Sequence, residues 1–539
     1  MKLPELSAAA APQFTDAASC KAWLDNLPLA NVAAAQQEML GELEILNRFP
    51  TAAVNRLGVM ETLREPVHFV QIEQAKRFMN RPLPMGQPEA ASFADTIELW
   101  EQMRLGYLRC LDLAQGGDAG MRAQAALIAQ RVLAYAGLKM FHYYRAYREV
   151  PPGDWRSLHE AYALAERLGA SEEPVRDFLN RDVHDSSARI AYARAVLMGM
   201  ASPNELTQRQ LTFVAFLLER WGSKLEISAA PVAEGEGLPP LIADLAGERC
   251  PRRAEPGDPA PAEPRYLDTR KLAKSLRNRV GLLRKGESPA KLALGEDCVQ
   301  PSCEQMLVFL FRQWCQAKSA RGAERRRSSD AAQICIDLES IHRQVSGGAA
   351  VPARRQVEAK EMTQQQRQEL ETLGHIRTAQ EPEAQRGPSE LEDWKIVDDS
   401  PQGLRIVRPA GSGAKRYMHG QLVAVRAGGA KGFILGQVRW LMGAANGDLH
   451  AGLKLMPGIP AAITAQPSGL NEKNVRPMAA LELGALPAMQ SPASLVLPLG
   501  AFKPKRLFEL SGDKPRKVHL TELLERGVDF ERVAYEAAQ

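Results

Sequence analysis

The sequence predicts an α+β multidomain protein: an N-terminal all-α helical array or bundle, then a six- or seven-stranded antiparallel β-barrel with a helical insertion, then a small β-rich C-terminal unit. Three observations carry this. Residues 1 to about 228 place apolar side chains at the three-and-four spacing of amphipathic helices. From 393 onward, short alternating segments follow one another, parted by Gly, Asn, Asp or Pro, which is the rhythm of a small barrel. A chain of 539 residues is long enough for roughly three or four domains, each with its own core.

Taken in order, "ANVAAAQQEMLGELEILNRF" and "MRAQAALIAQRVLAYAGLKMFHYYRAY" are amphipathic helices. "PPGDWRSLHEAYALAERLG" sets Trp155, Leu158, Tyr162 and Ala165 as the first helix of a tetratricopeptide unit would, but the period does not recur, so residues 1–245 are expected to form a bundle or irregular array. Residues 246–268, with "GERCPRRAEPGDPAPAEPRYLD", combine prolines and charges without an apolar face and are expected to be a linker. Residues 269–320 return to helical periodicity in "TRKLAKSLRNRVGLLRKG" and "SCEQMLVFLFRQWCQAKSA". The barrel is expected over 321–466, beginning with strand formers in "AAQICIDLESIH" and interrupted by a polar, Gln/Glu-rich insertion at 346–390. The last unit, 467–539, is expected to run through short strands into a terminal helix within "RKVHLTELLERGVDFERVAYE".

Composition bounds the function. A formal charge of +4, with 45% hydrophobic and 24% charged residues, describes a globular chain without a global field for DNA or a membrane surface. The opening "MKLPELSAAAAPQF" lacks the unbroken apolar run of an export signal, and no apolar stretch is long enough to span a bilayer, so a cytoplasmic protein without membrane insertion is expected. Seven scattered cysteines imply reduced thiols. The close pair Cys298 and Cys303 lacks a second pair at zinc spacing, so neither metal nor cofactor is expected. No Walker loop, Rossmann glycine pattern or nucleophile elbow is present. The "HD" at His184–Asp185 has no further ligand cluster nearby, and Asp185 suits a helix cap, so the chain is not expected to be an enzyme.

Two motifs carry chemistry. "SARGAERRRSSD" gathers Arg321, Arg325, Arg326 and Arg327 just before a strand; guanidinium forks match phosphate oxygens and the O6/N7 edge of guanine. "DDSPQG", residues 398–403, combines carboxylates, a hydroxyl and a glycine at a strand mouth, where the alternative is a hairpin turn closed by its own side chains. With Arg321-Gly-Ala-Glu-Arg325 as Arg-x-x-x-Arg and Asp398-x-Ser400-x-x-Gly403 as the second motif, the chain resembles the PilZ domain family, bacterial receptors for cyclic di-GMP. "GQVRWL" and "HAGLKLM" look like its closing strands. An alternative register would start from Arg326 and lose the second arginine.

The resemblance implies a PilZ-like barrel that binds cyclic di-GMP through Arg321, Arg325, Arg326, Asp398, Ser400 and Gly403, with the arginines on phosphate and guanine, Asp398 accepting from guanine N–H groups and Gly403 clearing space for the nucleotide. It implies a second-messenger effector, in motility or biofilm control, that engages a protein partner through its helical region. Two alternatives stand beside it: a degenerate PilZ-like scaffold without nucleotide, and an RNA-binding barrel, for which Trp394, Tyr417, Phe433 and Trp440 offer no paired stacking platform in the sequence.

Overall fold

The computed structural model describes residues 3–232, 239–295, 298–316, 326–348, 391–468, 476–511 and 515–538. The chain divides into two compact units, 1–322 with 442–445, and 323–441 with 446–539.

The first unit begins with helices α1 (Ala17–Leu24), α2 (Val32–Arg48), α3 (Ala53–Ala75), α4 (Gln87–Gln115), α5 (Ala119–Ala123), α6 (Ala125–Arg145), α7 (Pro152–Arg167), α8 (Ala188–Met200) and α9 (Gln208–Trp221). Their starts are written in the sequence. Asp16 and Ser19 form a reciprocal capping box on α1, and Thr207 and Gln210 form another on α9, satisfying amide groups that no helix turn can reach. The stripes of α4 and α6 meet over Trp100, Met103, Tyr107, Val132 and Tyr135, all at most 1% exposed. Trp155, Leu158, Tyr162 and Ala165 of α7 are buried in the same core, as their spacing requires. A short hairpin of β1 (Val175–Arg176) and β2 (Asp185–Ser186) precedes α8. Asp185 is therefore not a helix cap: it pairs with Arg176 across the hairpin at 2.5 Å, and the cap of α8 is Ser187, whose hydroxyl accepts from Ile190 N at 3.2 Å.

The stretch read as a linker is folded. It contributes β5 (Arg252–Arg253) and β6 (Pro264–Asp268) to one sheet with β3 (Glu226–Ser228) and β4 (Leu241–Asp244), which lie at the end of the span expected to be all helical, in the order β3-β6-β4-β5 inside the first unit. A few side chains suffice: Leu241, Ala243, Leu245 and Leu267 are buried, Asp244 accepts from the amides of Ala262 and Glu263, and Arg265 grips Glu166 of α7 with two nitrogens. Proline and charge hide such a sheet from a hydropathy pattern, because its specificity lies in polar pairs. Helices α10 (Arg270–Arg284) and α11 (Ser302–Cys315) follow where periodicity placed them. Cys298 and Cys303, expected as thiols, form a disulfide across a Cα–Cα distance of 5.1 Å, within bridging range. Cys20, Cys110, Cys315 and Cys335 are buried and form no disulfide.

The second unit holds two barrels. In the first, β8 (Ala331–Ile336), β9 (Glu392–Ser400), β10 (Gly403–Arg408), β11 (Leu422–Ala427), β12 (Ile434–Gly443) and β13 (Leu449–Leu455) close a ring in the order β10-β13-β12-β11-β8-β9, while β7 (Arg326–Arg327) lies outside it on β9. The segment 331–342, read as one strand, breaks at Asp337, whose φ of 75° ends the extended run. Helix α12 (Leu338–Val345) then packs Leu338 and Ile341 into the second unit's core. The insertion expected over 346–390 falls almost wholly outside the described residues.

The last barrel closes as β14-β15-β16-β19-β18-β17, from β14 (Pro460–Pro467), β15 (Met478–Leu483), β16 (Ser494–Pro498), β17 (Leu507–Ser511), β18 (Arg516–Arg526) and β19 (Phe530–Ala537). The expected terminal helix is thus a pair of strands. Its apolar residues Leu520, Leu523 and Leu524 fit helical spacing because β18 carries two register shifts, between Leu520 and Glu522 and between Leu523 and Glu525. Each inserts a residue into a two-residue alternation. The two barrels meet at the β18–β19 turn, where the Asp529 carboxylate accepts from Leu422 N of β11 at 2.9 Å.

Candidate functional site on the first barrel

Strands β9 and β10 form a hairpin with Ser400 opposite Gly403, so Pro401 and Gln402 alone make the turn. The Ser400 hydroxyl donates to the Gly403 carbonyl at 3.1 Å and closes that turn itself. Gly403 is needed for a reason other than a ligand: a Cβ there would stand 2.6 Å from the Leu453 carbonyl oxygen on β13. Its bareness lets two strands approach, so the space that the sequence reading assigned to a nucleotide is occupied by backbone.

On its other side β9 carries β7, with Arg326 opposite Asp399 and Arg327 opposite Asp398. Arg326 forks onto Asp399, Nε and Nη2 each 3.3 Å from a carboxylate oxygen, and the arginine is 78% exposed. Arg321 and Arg325 lie outside the described residues.

Register assigns these groups to faces. Ile396 is buried opposite Ile406, the register then shifts, and Asp398 falls opposite Arg405. Directly opposed residues share a face of the sheet. Leu404 points into the barrel, so Arg405, and with it Asp398 and Arg327, points outward. The row continues to Gly452 of β13, opposite Arg405. Over Gly452 lies the Trp440 indole of β12, occupying the place of the missing side chain. Arg327, Asp398, Arg405 and the Trp440 ring therefore succeed one another across the outer wall, at the roughly 4.8 Å step between strands. The Nε of Arg405 is buried without a hydrogen-bond partner.

Beneath this face the barrel wall is stiffened by a buried polar cluster. Arg408 donates to Glu392 at 2.8 Å and sits 5.6 Å and 5.5 Å from the ring centres of Trp394 and Tyr417. Burial would raise the Glu392 carboxyl, but the Lys415 amide, the Tyr417 hydroxyl and Arg408 together hold it below its ordinary value. Among the described residues no three His, Cys, Asp or Glu side chains converge to hold a metal ion, and no helix is long and apolar enough to cross a membrane.

The sequence reading located the hairpin and one arginine strand. It did not single out Arg405, weighed Trp440 only as one of four scattered aromatics, and left Arg327 out of the residues assigned to the nucleotide. The available signal was alternation: Arg405 lies an even step from Gly403 in "GLRIVR", on the polar side of the strand.

In architecture the chain is a helical protein with two successive antiparallel barrels, the first carrying an outward row of cationic, acidic and aromatic groups. Residues 18–232 match the family model described as the N-terminal domain of the cyclic-di-GMP receptor FimW, and residues 463–538 match that of the FimW C-terminal β-barrel domain. In these two segments the chain is similar to the FimW family. It is also similar to the cyclic-di-GMP receptor FimW of Pseudomonas aeruginosa, with 24% identity over 520 residues, covering 89% of this chain and 83% of that protein.

Proposed function

We propose that this chain is a cyclic di-GMP-binding effector, not an enzyme, and that its first barrel, of PilZ type, holds the nucleotide on the outer face of β9 and β10. The carrying observation is the row Arg327, Asp398, Arg405 and Trp440 across that wall. A guanine base has donors for a carboxylate, an acceptor edge for a guanidinium and a face for an indole. Arg321 and Arg325, from the preceding segment, would take the phosphates, and Arg326, which its pairing with Asp399 sets on the other face of the ladder next to the hairpin turn, would reach them over the barrel's end. Ser400 and Gly403 hold the hairpin that presents Asp398 rather than touching the ligand. Nucleotide binding in this barrel is coupled to a protein partner through the helical region; the ligand of the relative bearing the receptor name supports the choice of nucleotide.

Calorimetric titration of the full chain with cyclic di-GMP tests the reading. Saturable binding that Asp398→Ala and Arg405→Ala each weaken at least about tenfold is expected, since each removes a charge-assisted hydrogen bond. Absence of binding at tens of micromolar would leave the scaffold reading in its place.

A further inference from the structure

The helical domain holds a cavity of about 210 Å³ among α3, α6, α8, α9 and the loop after β1. Small residues make the room: Ala134 and Gly137 on α6, Ala191 and Ala195 on α8, Ala215 on α9. Leu138, Phe141, Met198 and Leu218 give it an apolar wall.

One end is polar. Asp177 is 4% exposed and bound by Arg64 at 2.5 Å and by Gln130 at 2.9 Å; with Arg64 first among the opposing charges, its carboxyl stays at about 2 despite burial. Glu61, joined to Arg131 at 2.9 Å and to Tyr107 at 2.6 Å, completes this network. Its acids and bases are thus mutually satisfied, yet the Nε of Arg64 and Nδ1 of His68 make no hydrogen bond, and the hydroxyl of the 1%-exposed Tyr135 has only Arg64 beside it. Burial lowers the His68 imidazole, which is neutral near pH 7 and can accept or donate.

Arg194 differs from the other cations. Its Nη1 donates to Asn180 at 2.7 Å, and among the described residues no carboxylate lies within ion-pairing distance. Glu219, across the cavity, accepts from the Arg181 amide at 3.1 Å. Glu219 and Asp177 act on this guanidinium from beyond contact, and burial still outweighs them, so an anion in direct contact with it would offset a desolvation cost that they leave uncovered.

We propose that this cavity is a binding site for a small monoanionic amphiphile, a carboxylate whose acid group pairs with Arg194 and whose apolar end lies against Leu138, Phe141, Met198 and Leu218. Size sets the class: a cavity of about 150 Å³ holds benzene, so this one takes a single substituted ring or a short alkyl chain. Tyr135 and His68, which line the same cavity, supply further polar contacts.

Phenylacetate is the probe and benzyl alcohol its uncharged counterpart, with sodium chloride at equal concentration as the simple-anion arm. Thermal unfolding of the full chain is expected to shift upward with phenylacetate in a saturable way and to stay unmoved by the other two. Arg194→Gln should weaken the phenylacetate response at least tenfold, and Ala215→Leu, which fills the cavity, should abolish it. Saturation-transfer NMR on the wild-type chain with the acid and the alcohol reads the same contrast without a variant. No response at millimolar phenylacetate overturns the proposal, as does an equal response to alcohol or chloride, or an unchanged response in Arg194→Gln.

Discussion

Single atoms decide the behaviour of the β9–β10 hairpin. Gly403→Ala should destabilise the second unit by about 1–3 kcal/mol, because the backbone oxygen of Leu453 stands where the new methyl would go and cannot rotate away. Urea unfolding measures this, and nucleotide affinity should fall only as far as folding does. Arg326→Ala is the reverse case. An exposed ion pair contributes at most about 1 kcal/mol, so stability should hardly change while cyclic di-GMP affinity drops about tenfold. Arg327→Ala should cost at least as much affinity, since its register places it on the outward row beside Asp398. Trp440→Ala should weaken binding by the roughly 1–3 kcal/mol typical of one stacked base. The motif residues were legible in the sequence because turn chemistry is local. Arg405 and Trp440 were not, because cross-strand neighbours become neighbours only through register, which a linear spacing does not encode.

At the level of elements, the turn between β18 and β19 ties the last barrel to β11 through a carboxylate that is unusually hard to ionise. Burial, aided by the charge of Asp337 and opposed by the Leu422 amide, pushes the Asp529 carboxyl from 3.8 to about 6. The folded state therefore holds its proton where the unfolded chain has lost it. The resulting stability is fully present below about pH 4 and is lost as pH rises through 6. Asp529→Asn should flatten the pH dependence of unfolding between 4 and 7 and stabilise the protein at pH 7 by about 1–2 kcal/mol. A variant whose stability tracks wild type across that range would refute this. The same two strands illustrate where sequence reading failed. The bulges in β18 turn a strand's alternation into a helix-like spacing, and only pairing with β16 and β17 through a closed ring selects the extended form. The helices α2, α6, α7, α10 and α11 were legible because their apolar stripes recur locally at helical spacing. The β3–β6 sheet was not, because four strands of two to five residues held by Asp and Arg partners leave an apolar alternation only over Leu241, Ala243 and Leu245, too short to stand out.

For the whole molecule, each barrel of the second unit buries its own apolar set, Ile463, Leu495, Phe508 and Val533 in the last and Trp394, Ile396, Leu404 and Ile406 in the first. Residues 326–539 expressed alone should accordingly unfold in a cooperative transition, checked by calorimetry. The order in which the first barrel assembles follows from its connections. The β9–β10 hairpin joins residues three apart, Ser400 to Gly403, whereas the ladder between β8 and β9 joins Ala331 to Lys395 across more than sixty residues of chain. Closing so long a loop must await the contacts that reward it. Cutting the stretch between α12 and β9 to about ten residues, which keeps α12, would lower the closure cost by about 1 kcal/mol, enough to speed folding roughly fivefold if the ring closes in the transition state. The arginine strand rides on the same ladder, since β7 is held by β9. During synthesis the acidic hairpin therefore forms before β7 docks on it, and a newly made chain brings Arg326 and Arg327 beside Asp399 and Asp398 only once the long-range ladder closes.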